Sequence, residues 1–365
     1  LVDAWIWTID AKRGLFASDV RYYGPAAKLR PQLSPGEPED PPDSDPVDQI
    51  VAHKLWLGFL IDRFEVVRHN SMEQLLLFGR LLQRSTNLDW CFTHHPAAAG
   101  TFFTLMLLGM KFCSCQRQGN THKLIRGLQL LEDRIYRTSL GWFSRQPEWY
   151  DVNIPNFGQS EAQSVSIFAQ FLSNERSDFR ESGSKGRAHE NGNLTDEIDQ
   201  YHPVWGEMEK YSVGKEKRKQ LLLILCQHES DRLDVWAQPI SPKDRDSPYS
   251  RLKVSSSKWT EHAKTAFSVD PRIAISLASR FPTNIAVKSE VTQLVQAHLV
   301  DLRTIVEALP YFVTPKTVEE NSALLQQLLH WDACSITQAL VLLTPAYKGH
   351  PRVMAYVLRD LESYP

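Results

Sequence analysis

Cys113 and Cys115, one residue apart with His122 close behind, form the tightest group of soft metal ligands in this sequence. A zinc site needs a fourth ligand and wider cysteine spacing, so the two cysteines read as small hydrophobes following an apolar run. His94-His95 stand before Pro96 and read as a helix-entry loop, and His228-Glu229 lacks the second histidine of H-E-x-x-H. Phosphoryl transfer requires a loop over the phosphates, a catalytic aspartate and magnesium ligands. None of the 17 glycines lies two, four or five positions from another, which excludes G-x-G-x-x-G, the nucleophile elbow and the P-loop. Asp178-Phe179-Arg180 carries arginine where a magnesium-binding D-F-G needs glycine. Asp133-Arg134, Asp231-Arg232 and Asp244-Arg245 are not followed by the histidine of a D-R-H-x-x-N catalytic loop. The sequence therefore offers no catalytic, cofactor-binding or metal residue.

Lys215-Glu216-Lys217-Arg218-Lys219 is the one dense basic cluster. It could meet anionic lipid or act as a localisation signal, but Glu216 dilutes it and no basic face continues. It reads as the solvated start of the helix beginning at Leu221. A net charge of −2 gives no global signal for nucleic acid or membrane. Asn193-Leu194-Thr195 matches a glycosylation sequon, against a composition that otherwise suits a cytosolic protein. The odd count of five cysteines, at 91, 113, 115, 226 and 334, points to free thiols in a reducing compartment. The start, Leu-Val-Asp-Ala-Trp-Ile-Trp, does not resemble a signal peptide, and both ends read as cut.

The elements that would have to position these groups are helices. Residues 1–46 form a flank and linker, and its stretch Pro31 to Pro46 has six prolines, five acidic residues and no basic one. Asp45-Pro46 opens a helix with a capping aspartate and first-position proline. Over 47–175 apolar residues recur at three- and four-residue steps: Leu57, Leu60, Ile61 and Phe64, then Leu75, Phe78 and Leu82. Ser71-Met72-Glu73-Gln74 and Ser160-Glu161-Ala162-Gln163 each fit a capping box that starts a helix. Leu124, Leu128, Leu131 and Ile135 make the cleanest stripe; packing in a core explains it, and it is also the candidate protein interface. Cys91 to Met110 carries no Asp, Glu, Lys or Arg, yet its strongly apolar part is only Ala97 to Met110, the length of a buried core helix rather than a membrane span. Residues 176–200 are a polar, glycine-rich linker, and 201–365 form a second helical region interrupted by the loop Gln238 to Ser250.

The end of the chain is the most regular part. Ser335 caps a short helix, Ile336 to Leu343, which Thr344-Pro345 ends; His350-Pro351 opens another. Such a hairpin cannot bury its apolar faces alone and implies a stacked array. Asp270-Pro271-Arg272-Ile273 repeats the pattern of His350-Pro351-Arg352-Val353 at a distance of 80 residues, with further helical segments at Val291–Val306 and Ser322–Leu329. The fold class is all-α, an α-solenoid of stacked helical hairpins with flexible polar linkers.

Two stretches, Ala-Cys-Ser-Ile-Thr-Gln-Ala-Leu (333–340) and Thr-Pro-Ala-Tyr-Lys-Gly-His-Pro-Arg-Val-Met-Ala-Tyr-Val-Leu-Arg (344–359), closely resemble the helical accessory domain of the phosphatidylinositol 4-kinase alpha family, the plant form above all. Leu-Leu-Glu-Asp-Arg-Ile-Tyr-Arg-Thr-Ser-Leu-Gly-Trp-Phe-Ser (130–144) resembles a helix in that family's homodimer region. The resemblance implies a parent that uses ATP and magnesium, held by a downstream kinase domain, to phosphorylate the 4-position of phosphatidylinositol. It also implies homodimers, peripheral recruitment from the cytoplasm to the plasma membrane, and contacts with the kinase domain, a tetratricopeptide-type adaptor and a membrane-anchored scaffold. No catalytic residue or cofactor site transfers, because no position here matches the kinase motifs. Residues 201–365 correspond to the accessory domain, expected to be truncated at its end. The alternative is a stand-alone α-solenoid adaptor acting only through protein contacts; a reading frame that continues past Pro365 into kinase motifs separates the two.

Overall fold

A computed structural model describes residues 46–67, 72–86, 98–118, 125–145, 155–175, 211–237, 254–347 and 349–362. Among them the chain is helical, with no strand. Outside them lie the acidic proline-rich linker, the 176–200 linker, the Gln238–Ser250 loop, the Asp45 and Ser71 caps, the His94-His95 pair and Leu124. The chain divides into two compact units. The first takes in Leu1–Trp142, Pro147–Gly192 and Ser212–Leu252, and the second Phe143–Gln146, Asn193–Tyr211 and Lys253–Pro365.

The first unit contains α1 (Pro46–Val67), α2 (Met72–Ser85), α3 (Ala99–Gln118), α4 (Ile125–Gly141), α5 (Pro155–Asn174) and α6 (Tyr211–Ala237). The described part of the uncharged run opens α3, the helix against which α1, α4 and α5 pack. Phe102, Phe103, Met106, Met110 and Phe112 on it are buried, and Phe103 meets Trp142 and Phe168 with ring centroids 5.7 and 5.4 Å apart. Among the described residues no helix is long and apolar enough to cross a membrane. Two glycines of α3 permit its close contacts. A Cβ on Gly109 would lie 2.7 Å from Ile135 Cδ1, and one on Gly100 would lie 2.6 Å from a carboxylate oxygen of Glu161. The stripes expected on α1, α2 and α5 face inward at Leu57, Leu60, Phe64, Phe78, Leu82, Val165 and Phe168, while Ile61 turns to solvent.

Ser160 does not begin a helix. Helix α5 starts at Pro155, the first-turn position where a missing N–H leaves nothing unpaired, so Ser160 sits in its second turn and its carbonyl accepts from the Ser164 hydroxyl at 3.0 Å. Helix α6 belongs to the first unit by its packing, whereas a boundary at residue 201 assigns it to the second.

The second unit contains α7 (Ser256–Val269), α8 (Pro271–Arg280), α9 (Ile285–Ala297), α10 (Leu309–Phe312), α11 (Pro315–Glu319), α12 (Ile336–Leu342) and α13 (Pro351–Glu362), with 3-10 turns between them. Nearly every start is a cap. Ser255, Asp270, Asn284, Thr314 and Ser335 side chains accept backbone N–H groups of the first turn, and prolines follow at Pro271 and Pro315. The final hairpin forms as expected: Ser335 and Gln338 complete a capping box on α12, and α13 begins at Pro351 and packs against α12. Gly349, at φ 60°, makes the left-handed step into α13 that residues with a Cβ resist. Asp270 and His350 play parallel parts, accepting the N–H of Arg272 at 2.8 Å and of Arg352 at 3.3 Å.

Of the two further helical segments expected, one breaks early and the other forms as a 3-10 helix. The Val291–Val306 segment stops at Ala297, and bonds from Asp301, Leu302 and Ile305 N–H groups to carbonyls three residues back carry the chain onward. That three-residue step buries Leu299, Leu302 and Ile305 together, which a 3.6-residue period does not. Ala323–His330 is likewise 3-10 rather than α, with the Ser322 hydroxyl accepting Leu324 N–H at its start.

Candidate functional site

Helix α4 carries the residues expected at a partner interface, and the structure turns them inward. Leu128, Leu131 and Ile135 are buried, Ile135 over Gly109 of α3, and the Leu128 carbonyl lies 3.8 Å from Cys113 Sγ. Leu124 lies outside the described residues. The stripe is thus packed inside its own unit, while Leu130 on the far side is 56% exposed.

The edge of α4 holds what periodicity does not reveal. Glu132 is buried and accepts Lys215 Nζ at 2.6 Å; Asp133 meets Arg218 at 2.9 Å and Arg137 at 2.8 Å. Lys219 donates to the Glu175 carbonyl at 2.5 Å, and Lys215 also lies 6.0 Å over the Tyr136 ring. The basic cluster is therefore no solvated helix start. Arg218, 2% exposed, and Lys219 are buried, and Lys215 is nearly so, because α4 supplies two carboxylates at the place where α6 begins. Farther along α6, Glu229 is held by Arg232 at 2.5 Å, and Ser230 donates to the Ala162 carbonyl of α5 at 3.0 Å. No sequence signal links Lys215 to a carboxylate 83 positions earlier.

Glu161 is another buried acid. Its carboxylate accepts the Gly100 N–H at the start of α3, a cap supplied by another helix, where the positive end of the helix dipole also favours an anion. Burial still pushes its pKa up from 4.5 to about 7, against the Gly100 N–H and the Lys54 charge, which lower it.

In the second unit the buried charged side chains tie backbone, while the pair that crosses helices, Lys264 with Glu290 at 3.6 Å, joins an exposed lysine to a half-buried carboxylate. Arg359 donates to the Leu329 and Trp331 carbonyls at 3.1 and 2.7 Å, and buried Asp360 accepts the Cys334 N–H at 3.0 Å. Tyr356 donates to the Asp332 carbonyl at 2.7 Å. These bonds clamp α13 to the chain entering α12. Burial raises the pKa of Cys334 and of Tyr356, and lowers that of His262. Arg280 and Ser276 of α8 both donate to the Arg145 carbonyl, at 3.1 and 2.9 Å.

Among the described residues no group of His, Cys, Asp or Glu could hold a metal ion. Cys113, Cys226 and Cys334 are buried thiols in no disulfide. Cys115 is free but exposed, so of the Cys113/Cys115 pair only the first packs as a hydrophobe.

Buried charges and capped turns hold the described helices of each unit together. The family model of the PI4-kinase N-terminal region matches residues 1–244. Over all 365 residues the chain is 81% identical to phosphatidylinositol 4-kinase alpha 1 of Arabidopsis thaliana, and it spans 18% of that protein's length. Over 171 residues, 45% of this chain, it is 30% identical to the putative phosphatidylinositol 4-kinase alpha-like protein P2 of Homo sapiens, 26% of which is covered. The chain belongs to the phosphatidylinositol 4-kinase family.

Proposed function

We propose that this chain is a non-catalytic helical scaffold region of a phosphatidylinositol 4-kinase, whose whole protein transfers the γ-phosphoryl group of ATP to phosphatidylinositol. The observation that carries the reading is the 81% identity over the full chain to a protein of that name, in a sequence holding no phosphate loop and no catalytic aspartate motif. The scaffold's work is to present surfaces: to the kinase domain, to a second copy in a homodimer, and to an adaptor and a membrane-anchored scaffold that recruit the enzyme peripherally to the plasma membrane. The Leu128–Ile135 face of α4 supports this from within, by fixing the helices whose outer faces partners meet. The test is direct. The 365-residue chain, supplied with ATP, magnesium and phosphatidylinositol vesicles, gives no phosphatidylinositol 4-phosphate. Turnover above a heat-killed control overturns the reading.

A further inference from the structure

Of the side chains that cap helix starts among the described residues of the second unit, only His350 is of a type whose charge changes near neutral pH. Its ring is engaged at both nitrogens. Nδ1 lies 3.3 Å from the Arg352 amide nitrogen in the first turn of α13, and Nε2 lies 3.0 Å from the Asn321 side-chain oxygen. A backbone N–H can only donate, so Nδ1 is the acceptor and carries no proton. The neutral ring then holds its proton on Nε2 and donates it to Asn321 Oδ1, an assignment that follows from the two partners. Asn321 follows α11 in the left-handed region at φ 47°, and Gly349, directly before His350, has φ 60°. One imidazole thus joins the turn that ends α11 to the turn that opens α13.

We infer that His350 is a proton-operated latch: neutral, it caps α13 and holds the Asn321 turn; protonated, it releases the cap. A second proton, on Nδ1, sets two donors face to face, and the positive end of the α13 dipole opposes the added charge. The capped state therefore accepts only the neutral ring. The cap is complete above the ordinary imidazole range, about 6.5, and is lost as pH falls through it. The titratable and charged side chains on the elements that meet here are Lys316 and Glu319 of α11, Glu320 after it, His330, Tyr347 and Arg352. Lys316 and Glu320 engage each other at 3.8 Å. Lys348 lies outside the described residues. Lys, Arg, Glu and Tyr side chains ordinarily keep their charge between about pH 5.5 and 8, which leaves His330 as the second histidine to control for.

The test is the protection factor of the Arg352 amide in the full chain, followed by hydrogen exchange from about pH 8 to about pH 5.5. Protection should fall about fivefold over that span, the scale of a lost helix cap. The Arg272 amide, held by the Asp270 carboxylate at 2.8 Å, should stay level and serves as the internal reference. His350→Asn caps without titrating and should keep Arg352 protected throughout, whereas His350→Ala should leave it weakly protected at every pH. His330→Gln should keep the slope of the unaltered chain. Nitrogen NMR of the His350 ring at about pH 8 should place the proton on Nε2. A proton on Nδ1, a level profile in the unaltered chain, the same fall in His350→Asn, or a fall abolished by His330→Gln overturns the latch.

Discussion

The two units bury charge in different ways. In the first, the largest cluster joins distant helices, Glu132 and Asp133 of α4 meeting Lys215 and Arg218 of α6, beside the local Glu229–Arg232 pair within α6. In the second, Arg359 and Asp360 are neighbours on α13, and both turn to the loop ahead of α12, binding the Leu329 and Trp331 carbonyls and the Cys334 N–H. Long helices leave few loose backbone groups, so beyond the helix ends that Glu161 and Lys219 serve, their internal charges meet one another. Short helices with many ends expose carbonyls and amides, and the charges serve those ends. The first unit should therefore be sensitive to loss of a single charge and to pH, and the second to loss of caps in smaller steps.

The largest expected loss from a single substitution is at Arg218. Its side chain is 2% exposed beside Asp133, itself 19% exposed, so Arg218→Ala removes the buried one of the two arginines that meet this carboxylate and leaves it only the half-exposed Arg137. A loss of about 2 kcal/mol follows, below the usual penalty for breaking a buried pair because Arg137 still meets the carboxylate. Replacing both residues together, Arg218→Met with Asp133→Leu, should recover most of it, since no charge then remains to be desolvated. Urea denaturation of the three variants checks this. A single-site loss below about 1 kcal/mol would place the pair with surface ion pairs and dissolve the contrast between the units.

Glu161 comes next, through pH. Its folded pKa of about 7 lies above the ordinary 4.5, so the folded unit holds the proton more tightly than the unfolded chain does. The stabilisation is complete below the unfolded value, is lost as pH rises from 4.5 towards 7, and does not change further above that. The window corresponds to about 3 kcal/mol. Glu161→Gln keeps the size of the side chain and should flatten that slope in thermal melts between pH 5 and pH 8. An unchanged slope in the variant would assign the pH dependence to other groups.

The same contrast governs what could be read from the residues alone. Asp270-Pro271 and Ser335 announce helix starts because cap and capped N–H lie within one turn of each other, and the structure keeps both. The uncharged run at α3 announces a core because length and composition suffice. Ser160 satisfies the same local pattern as Ser335 yet lies inside α5, since Pro155 had already started that helix and Glu161 was drawn to Gly100 of another. The basic cluster at 215–219 looks like a solvated helix start until Glu132 and Asp133 are placed beside it. Local signals mislead where a partner far along the chain competes for the same side chain, and that competition is densest around α3, α4 and α6. The inward use of Leu128, Leu131 and Ile135 belongs with these: a stripe identifies a contact face without saying which contact takes it.

The smallest effect tests the other side of the comparison. Ser335 Oγ accepts the Gln338 N–H at 3.3 Å, and the Gln338 side chain accepts the Ser335 N–H at 3.3 Å. Ser335→Ala removes one half of this box and should cost about 1 kcal/mol, while Ser335→Asp should be near neutral, because the carboxylate can take the same N–H and suits the helix start. Hydrogen exchange is the sensitive readout, since loss of the cap frays the first turn of α12 before the whole unit opens. Faster exchange confined to α12 fits a unit built of separately capped short helices. Faster exchange spreading to α7–α9 would mean that the second unit, like the first, depends on a network rather than on its helix ends.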